Sequence, residues 1–109
     1  FIVAAHPRNP DVAWFVPMDS DQRRVPRDAA LQVCVTRDAG KSFVSYRQGL
    51  PQSQCYDLIY RHGFALSDDA QHCLMGSTTG NLWASADAGE SWQSIAQNLP
   101  PIYAVRFYE

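Results

Sequence analysis

The 109-residue chain lacks long apolar segments and lacks an excess of either charge. No apolar run reaches the length of about 18 residues that a membrane-spanning helix needs. The formal net charge is −2, which gives no electrostatic reason to expect a nucleic acid or an anionic membrane as a partner. Hydrophobic residues make up 46% of the chain and charged residues 18%, so the sequence predicts a folded globular protein rather than a disordered one.

Cysteine is scarce and has no regular spacing. Cys34, Cys55 and Cys73 form an odd set without a CxxC pair or a histidine at zinc spacing, which argues against a disulfide framework and a metal site. We therefore expect no metal or other cofactor and a reduced, cytoplasmic protein. The sequence begins without Met at Phe1, within a predicted strand, so we expect a longer parent protein, and a secreted form stays open.

An eight-residue pattern, which we call the box, occurs twice at an offset of 49 residues, as Thr36–Phe43 and Ser85–Trp92. Both copies read Ser or Thr, any residue, Asp, any residue, Gly, any residue, Ser, and then an aromatic residue. The same offset aligns Gln48–Pro51 with Gln97–Pro100. A repeat of this length accommodates one four-stranded unit and is typical of a propeller or solenoid.

The residue types of the box suit a hairpin turn. An Asp accepts hydrogen bonds from the backbone of the turn that it begins, and a Gly two places later is open to positive φ. Hydroxyl groups bond locally to the backbone, and the aromatic residue packs as the next strand begins. The two carboxylates belong to separate turns, so they are not a catalytic pair. We expect ten positions to be structural: Thr36, Asp38, Gly40, Ser42, Phe43, Ser85, Asp87, Gly89, Ser91 and Trp92.

Both copies resemble the Asp-box, or bacterial neuraminidase repeat, of sialidases, other propeller hydrolases, sorting receptors and photosystem assembly factors. The whole chain, with Ala4–Asp11 leading into a strand, further resembles the last blades of bacterial sialidase-like glycosyl hydrolases. The resemblance implies an all-β fold with two antiparallel four-stranded blades of a β-propeller. Residues 1–50 would form one blade, 51–99 the next, and 100–109 a closing strand. Two blades cannot close a ring, so we expect the C-terminal piece of a parent with roughly six to eight blades.

Each blade is expected to contain four strands, with the box between the third and the fourth. Val12–Val16 is predicted to be a strand buried on both faces, and the fourth strands are predicted to begin at Phe43 and Trp92. The first strand of the second blade should lie within Tyr56–Ser67, and Ile102–Tyr108 should form a further strand. Since strand direction alternates, both boxes lie at one end of the sheets. Ligand-binding loops are expected at the opposite end.

Residues 18–28 are an insertion relative to the four-residue turn Thr78–Asn81 of the second repeat. They contain three Arg and three Asp, and guanidinium groups suit carboxylate recognition. The loop is therefore a candidate site for an anionic glycan, and a solvated loop with self-paired charges is the alternative. Its candidate residues are Asp19, Asp21, Arg23, Arg24 and Arg27.

Tyr56 and Asp57 are adjacent on the same side, where a Tyr beside a carboxylate could serve as nucleophile and base, as in sialidases. They could equally be ordinary strand residues. His62 could be a general base, or a partly exposed residue at a strand end. If the last strand is innermost, Tyr103, Arg106 and Glu109 could line a channel.

The enzymes that carry this repeat also have features that the sequence does not match. Sialidases use three well-separated Arg residues, an Arg-Ile-Pro motif, an Asp acid/base and a Tyr–Glu pair. The Arg-Ile-Pro motif is absent, and Arg23 and Arg24 are contiguous, so no catalytic residue is assigned.

Two functions stay open. One is a piece of a sialidase-like glycosyl hydrolase whose active site lies mostly in other blades. The other is a non-catalytic propeller that serves as a protein- or glycan-binding scaffold.

Overall fold

The computed structural model of the chain describes residues 2–17, 30–52, 59 and 62–107. These residues form two four-stranded antiparallel sheets, in each of which the strands follow chain order. Sheet 1 contains β1 (Ile2–Ala5), β2 (Ala13–Val16), β3 (Val33–Thr36) and β4 (Val44–Tyr46). Sheet 2 contains β5 (Phe64–Leu66), β6 (Cys73–Gly76), β7 (Leu82–Ser85) and β8 (Gln93–Ala96). The predicted all-β class with two such sheets is confirmed, and the described part of the chain has no helix that could cross a membrane.

The register makes the two sheets equivalent residue by residue. Residues paired across neighbouring strands share one face of a sheet, and successive residues of a strand alternate between faces. We call one face the front; it carries Val3, Phe15 and Cys34 in sheet 1, and Phe64, Met75 and Trp83 in sheet 2. The other is the back; it carries Ala4, Trp14 and Val35 in sheet 1, and Ala65, Leu74 and Ala84 in sheet 2.

The hydrophobic core lies between the back of sheet 1 and the front of sheet 2. Trp14 and Val35 are buried from one side, and Met75 and Trp83 from the other. Among the named strands, only β1 and β5 approach each other across the two sheets. The sheets are therefore closest at their first strands, and each sheet has one face that the other does not cover.

This packing corrects the prediction that β2 is buried on both faces. Trp14 and Val16 are buried, whereas Ala13 and Phe15 are only half-buried. The cause is that sheet 2 covers only the back of sheet 1. The fourth strands also begin one residue later than predicted, at Val44 and Gln93, because the box aromatic residues still belong to the turns.

The strand predicted over Ile102–Tyr108 is reduced, within the described residues, to one parallel bridge between His62 and Ala104. The backbone N–H of Val105 donates to the carbonyl of His62 at 2.7 Å, and that of Ile102 donates to the carbonyl of Ser77 at 3.0 Å. Pro100 and Pro101, which precede this segment, have no N–H to offer to a sheet. Tyr108 lies outside the described residues.

Candidate functional site

The first box forms the turn between β3 and β4, and its carboxylate bonds to that turn. The Ser42 N–H donates to Oδ1 of Asp38 at 2.8 Å, and the Ser42 hydroxyl donates to Oδ2 at 2.5 Å. The Thr36 hydroxyl donates to Oδ1 of Asp38 at 2.9 Å and accepts the Gly40 N–H at 2.9 Å. Every polar group that defines the pattern thus has a partner inside the box.

The second box, between β7 and β8, repeats this arrangement. The Ser91 N–H donates to Oδ1 of Asp87 at 2.8 Å, and the Ser91 hydroxyl donates to Oδ2 at 2.5 Å. The Ser85 hydroxyl donates to Asp87 at 2.7 Å and accepts the Gly89 N–H at 2.9 Å. Both turns reverse through two residues with positive φ, which are Ala39 (62°), Gly40 (90°), Ala88 (60°) and Gly89 (92°).

These hydrogen bonds set the electrostatics of the two carboxylates. The hydroxyl and N–H of Ser42 lower the pKa of Asp38, and the hydroxyl of Thr36 adds to the effect. Partial burial raises the pKa of Asp87, but hydrogen bonds from Ser91 and Ser85 outweigh it, so the net pKa is lowered. Both groups are ionised near neutral pH and bonded to their own turns, so neither is positioned as a general acid.

The boxes lie at one end of the sheets, which we call the box end. The Ala39 N–H donates to the carbonyl of Asp11 at 3.0 Å in the β1–β2 turn. In sheet 2, the Ala88 N–H donates to the carbonyl of Gln71 at 2.9 Å in the β5–β6 turn. β2 therefore ends and β3 begins at the opposite end, as β6 and β7 do; sixteen residues separate β2 from β3 in the sequence, and five separate β6 from β7.

The aromatic residues of the two boxes have different environments. Trp92 is 5% exposed, and its backbone N–H donates to the carbonyl of Gln48, before the second sheet begins, at 2.9 Å. The indole of Trp14 in sheet 1 donates to the carbonyl of Ala88 at 2.6 Å. Phe43 is 49% exposed and makes an edge contact with Phe15, with ring centroids 4.8 Å apart. The second box thus joins the two sheets, and the first box faces outward.

An apolar groove lies on the front of sheet 1, beside the first box. It has a volume of about 490 Å³, and its lining includes Val3, Pro10, Phe15, Gly40 and Phe43. Sequence reasoning missed this groove. The repeat could have indicated the groove. The residues of sheet 2 that are equivalent to Val3, Phe15 and Phe43 are buried in the core, so these three apolar residues line a face of the same kind that is left uncovered.

A second cleft, of about 590 Å³, brings together two predicted residues, His62 and Arg106, with Ala104 and Val105 between them. Both side chains are exposed, and an imidazole beside a guanidinium offers hydrogen-bond donors to an anion. Tyr103, in the same segment, is also exposed. We call this the His62–Arg106 cleft.

The other predicted ligand-binding residues are outside the described part of the structure. These are Asp19, Asp21, Arg23, Arg24 and Arg27 of the insertion, together with Tyr56, Asp57 and Glu109. Among the described residues, the structure brings His62 and Arg106 of the predicted ligand-binding set to one cleft.

The thiols and acidic groups of the described residues suggest no further chemistry. Cys73 is buried, and burial raises the pKa of its thiol to about 12, so it packs as a small apolar side chain. Over the described ranges, no three His, Cys, Asp or Glu side chains are grouped as a metal site would require.

A scan against protein-family models finds no matching family, and a search of curated proteins finds no match.

Proposed function

We propose that the chain forms two neighbouring blades of an Asp-box β-propeller and serves as a structural part of a sialidase-like glycosyl hydrolase. The observation that carries this proposal is the pair of boxes with the same hydrogen bonds in the same turn of two equivalent sheets. The proposed parent has roughly six to eight blades arranged about a central axis. Its catalytic residues would lie in blades other than these two.

The relation between the sheets supports the propeller proposal. The back of one sheet packs on the front of the next, and the first strands β1 and β5 are closest together. The segment around Ala104 continues the series by lying parallel to the His62 segment, at the start of sheet 2. A ring of blades requires this repeated relation, with first strands innermost.

A structural role for the boxes is supported by how their carboxylates are used. Asp38 and Asp87 are bonded to the backbone and hydroxyl of the same turn, and they are in different sheets. A glycosidase needs two carboxylates, or a carboxylate and a tyrosine, facing one sugar. The box residues therefore stabilise the fold that would present such a site, without forming it.

We expect the purified 109-residue chain to release no fluorophore from a fluorogenic sialoside above the rate of a blank. The physical reason is that the chain has no spaced Arg triad and no Arg-Ile-Pro motif. The assay should include Tyr56→Phe and Asp57→Asn, with Tyr46→Phe as a matched control, because the Tyr46 hydroxyl accepts a hydrogen bond from Arg37 of the first box at 3.1 Å. Turnover that is lost in Tyr56→Phe or Asp57→Asn but retained in Tyr46→Phe would contradict the proposal.

A second candidate function is a non-catalytic scaffold that binds an anionic glycan. The His62–Arg106 cleft favours it, because an exposed guanidinium and an exposed imidazole line one concave surface away from the boxes. A guanidinium can hold a carboxylate through two parallel hydrogen bonds. A sialic acid carboxylate is the chemistry that this cleft would recognise.

Binding of free N-acetylneuraminic acid, followed by NMR titration, tests this second candidate. Arg106→Gln should weaken binding roughly 10- to 100-fold, since one charge-assisted interaction is lost. Arg37→Gln, at the box end, is the matched control and should leave affinity unchanged. A neutral sugar without the carboxylate should not bind. Equal affinity of wild type and Arg106→Gln would exclude the cleft as the binding site.

A further inference from the structure

The imidazole of His6 holds the β1–β2 turn. Its Nδ1 accepts the backbone N–H of Arg8 at 3.0 Å and that of Asn9 at 3.1 Å. The His6 N–H donates to the carbonyl of Val12 at 3.0 Å, just before β2 begins. An imidazole nitrogen accepts a hydrogen bond only while it carries no proton, and both nitrogens of the charged ring are donors. The turn therefore requires the neutral form of His6.

The same ring lies against the side chain that joins the two sheets. The rings of His6 and Trp14 are stacked, with centroids 5.9 Å apart and an angle of 21° between their planes. Trp14 is buried, and its indole N–H donates to the carbonyl of Ala88 in the second box at 2.6 Å. A displacement of the His6 ring would thus remove a neighbour from Trp14 at the contact between the sheets.

The equivalent turn of sheet 2 is held without an imidazole. Ser67 takes the place of His6, since its N–H donates to the carbonyl of His72 at 2.9 Å. The Ser67 hydroxyl donates to Oδ1 of Asp69 at 2.7 Å, and the same oxygen accepts the Gln71 N–H at 3.0 Å. These hydrogen bonds lower the pKa of Asp69, so this turn keeps its acceptor in mildly acidic solution. Of the two turns, that of sheet 1 alone depends on a side chain type that gains charge near neutral pH.

We propose that His6 is a pH-sensitive element of the fold, whose protonation releases the β1–β2 turn and weakens the contact between the sheets at Trp14 and Ala88. The added proton would lie on Nδ1 and face the N–H groups of Arg8 and Asn9, so that donor meets donor. The attraction of a cationic ring to the indole of Trp14 opposes this change. It is the weaker effect, because protonation removes two hydrogen bonds at once.

The charged groups on the elements around His6 are of types that ordinarily keep their charge between about pH 5.5 and 7.5. Neither β2, on which the ring is stacked, nor β5, which approaches β1, has an ionisable side chain. The β1–β2 turn and the two boxes carry acids and bases, which are Arg8, Asp11, Arg37, Asp38, Lys41, Asp87 and Glu90. The other histidines are His62 and His72, so a control for histidine at a second turn is needed.

Urea unfolding of the 109-residue chain at about pH 7.5 and about pH 5.5 tests the proposal. The unfolded chain takes up a proton at His6 freely, whereas the folded turn must first break its hydrogen bonds. The unfolded state therefore binds more protons, and stability falls as the pH falls. The unfolding equilibrium constant of wild type should rise roughly 5- to 10-fold between the two pH values. His6→Asn should lose this rise, since the Asn oxygen accepts the N–H two residues on without titrating.

His72→Gln is the matched control. His72 is exposed in the equivalent turn, whose hydrogen bonds use its backbone rather than its imidazole. Its side chain lies near the carboxylate of Asp69, where a positive charge is favourable. The control should therefore lose at least as much stability at low pH as wild type does. A His6→Asn variant with the pH dependence of wild type overturns the proposal.

An NMR pH titration of wild type gives a second measurement, which stands even if His6→Asn does not fold. The amide protons of Arg8 and Asn9 should move upfield as the His6 ring resonances report its protonation. The indole N–H of Trp14 should become less protected from exchange with solvent. The amide of Ser91, bonded to Asp87, is the internal reference and should not move. These readouts are independent of sialoside turnover and of glycan binding. Amides of Arg8 and Asn9 that stay in place while His6 is protonated exclude the proposal.

Discussion

Trp92→Ala should destabilise the chain by about 3–5 kcal/mol, whereas Phe43→Ala, at the equivalent position of the other box, should cost less than about 1 kcal/mol. Both substitutions remove an aromatic ring, but the surroundings of the two rings differ. Trp92 is buried between the sheets and contacts Phe64 with ring centroids 5.9 Å apart. Phe43 is half in solvent, so its removal leaves no closed cavity.

Urea unfolding followed by circular dichroism measures both free energies of unfolding. The protein concentration should be low enough to keep the chain monomeric, since association would add to the apparent stability. A small domain has only about 5–15 kcal/mol in total, so Trp92→Ala is expected to be partly unfolded at room temperature. Equal costs for the two substitutions would mean that the two boxes have the same environment, contrary to the structure.

Gly49→Ala is the second large effect, at about 4 kcal/mol. Gly49 has φ of 84°, and an added Cβ would lie 1.7 Å from the backbone oxygen of Trp92. A backbone atom cannot rotate out of the way as a side chain can. The substitution must therefore separate the chain from Trp92, and it endangers the adjacent bond from the Trp92 N–H to the carbonyl of Gln48.

Gly40→Ala is the matched control for Gly49→Ala. Gly40 also has positive φ, at 90°, but an added Cβ meets nothing within 4 Å. It should cost only the backbone strain of about 1–2 kcal/mol. The difference between the two variants, measured by thermal or urea unfolding, isolates the clash from the strain. A Gly49→Ala variant as stable as Gly40→Ala would show that these two segments do not approach each other.

The two box turns could be predicted because their hydrogen bonds join residues that are close together in the sequence. The hydrogen bonds of Asp38 and Asp87 extend no more than four residues, so the residue types of the box are enough to indicate a turn. The strands on either side follow from apolar segments between turn residues. This is why the two four-stranded sheets could be predicted without knowing how they pack.

The environments of equivalent residues were not predictable, because they depend on contacts between distant parts of the chain. Phe43 and Trp92 satisfy the same pattern, yet only Trp92 has a neighbouring sheet over it. The same cause explains the half-burial of Phe15 in β2. His62 and Arg106 were separate candidates in the sequence, and only the parallel bridge at Ala104 brings them to one cleft.

The self-contained hydrogen bonds of the boxes have a consequence for how such a chain can evolve. A duplicated gene segment that encodes one sheet would carry its own turn-forming groups, since the side chains of Thr36, Asp38 and Ser42 bond to groups within their box. The new copy would fold locally before any adaptation to its neighbours. Selection could then act on the aromatic position, where the two boxes carry Phe43 and Trp92.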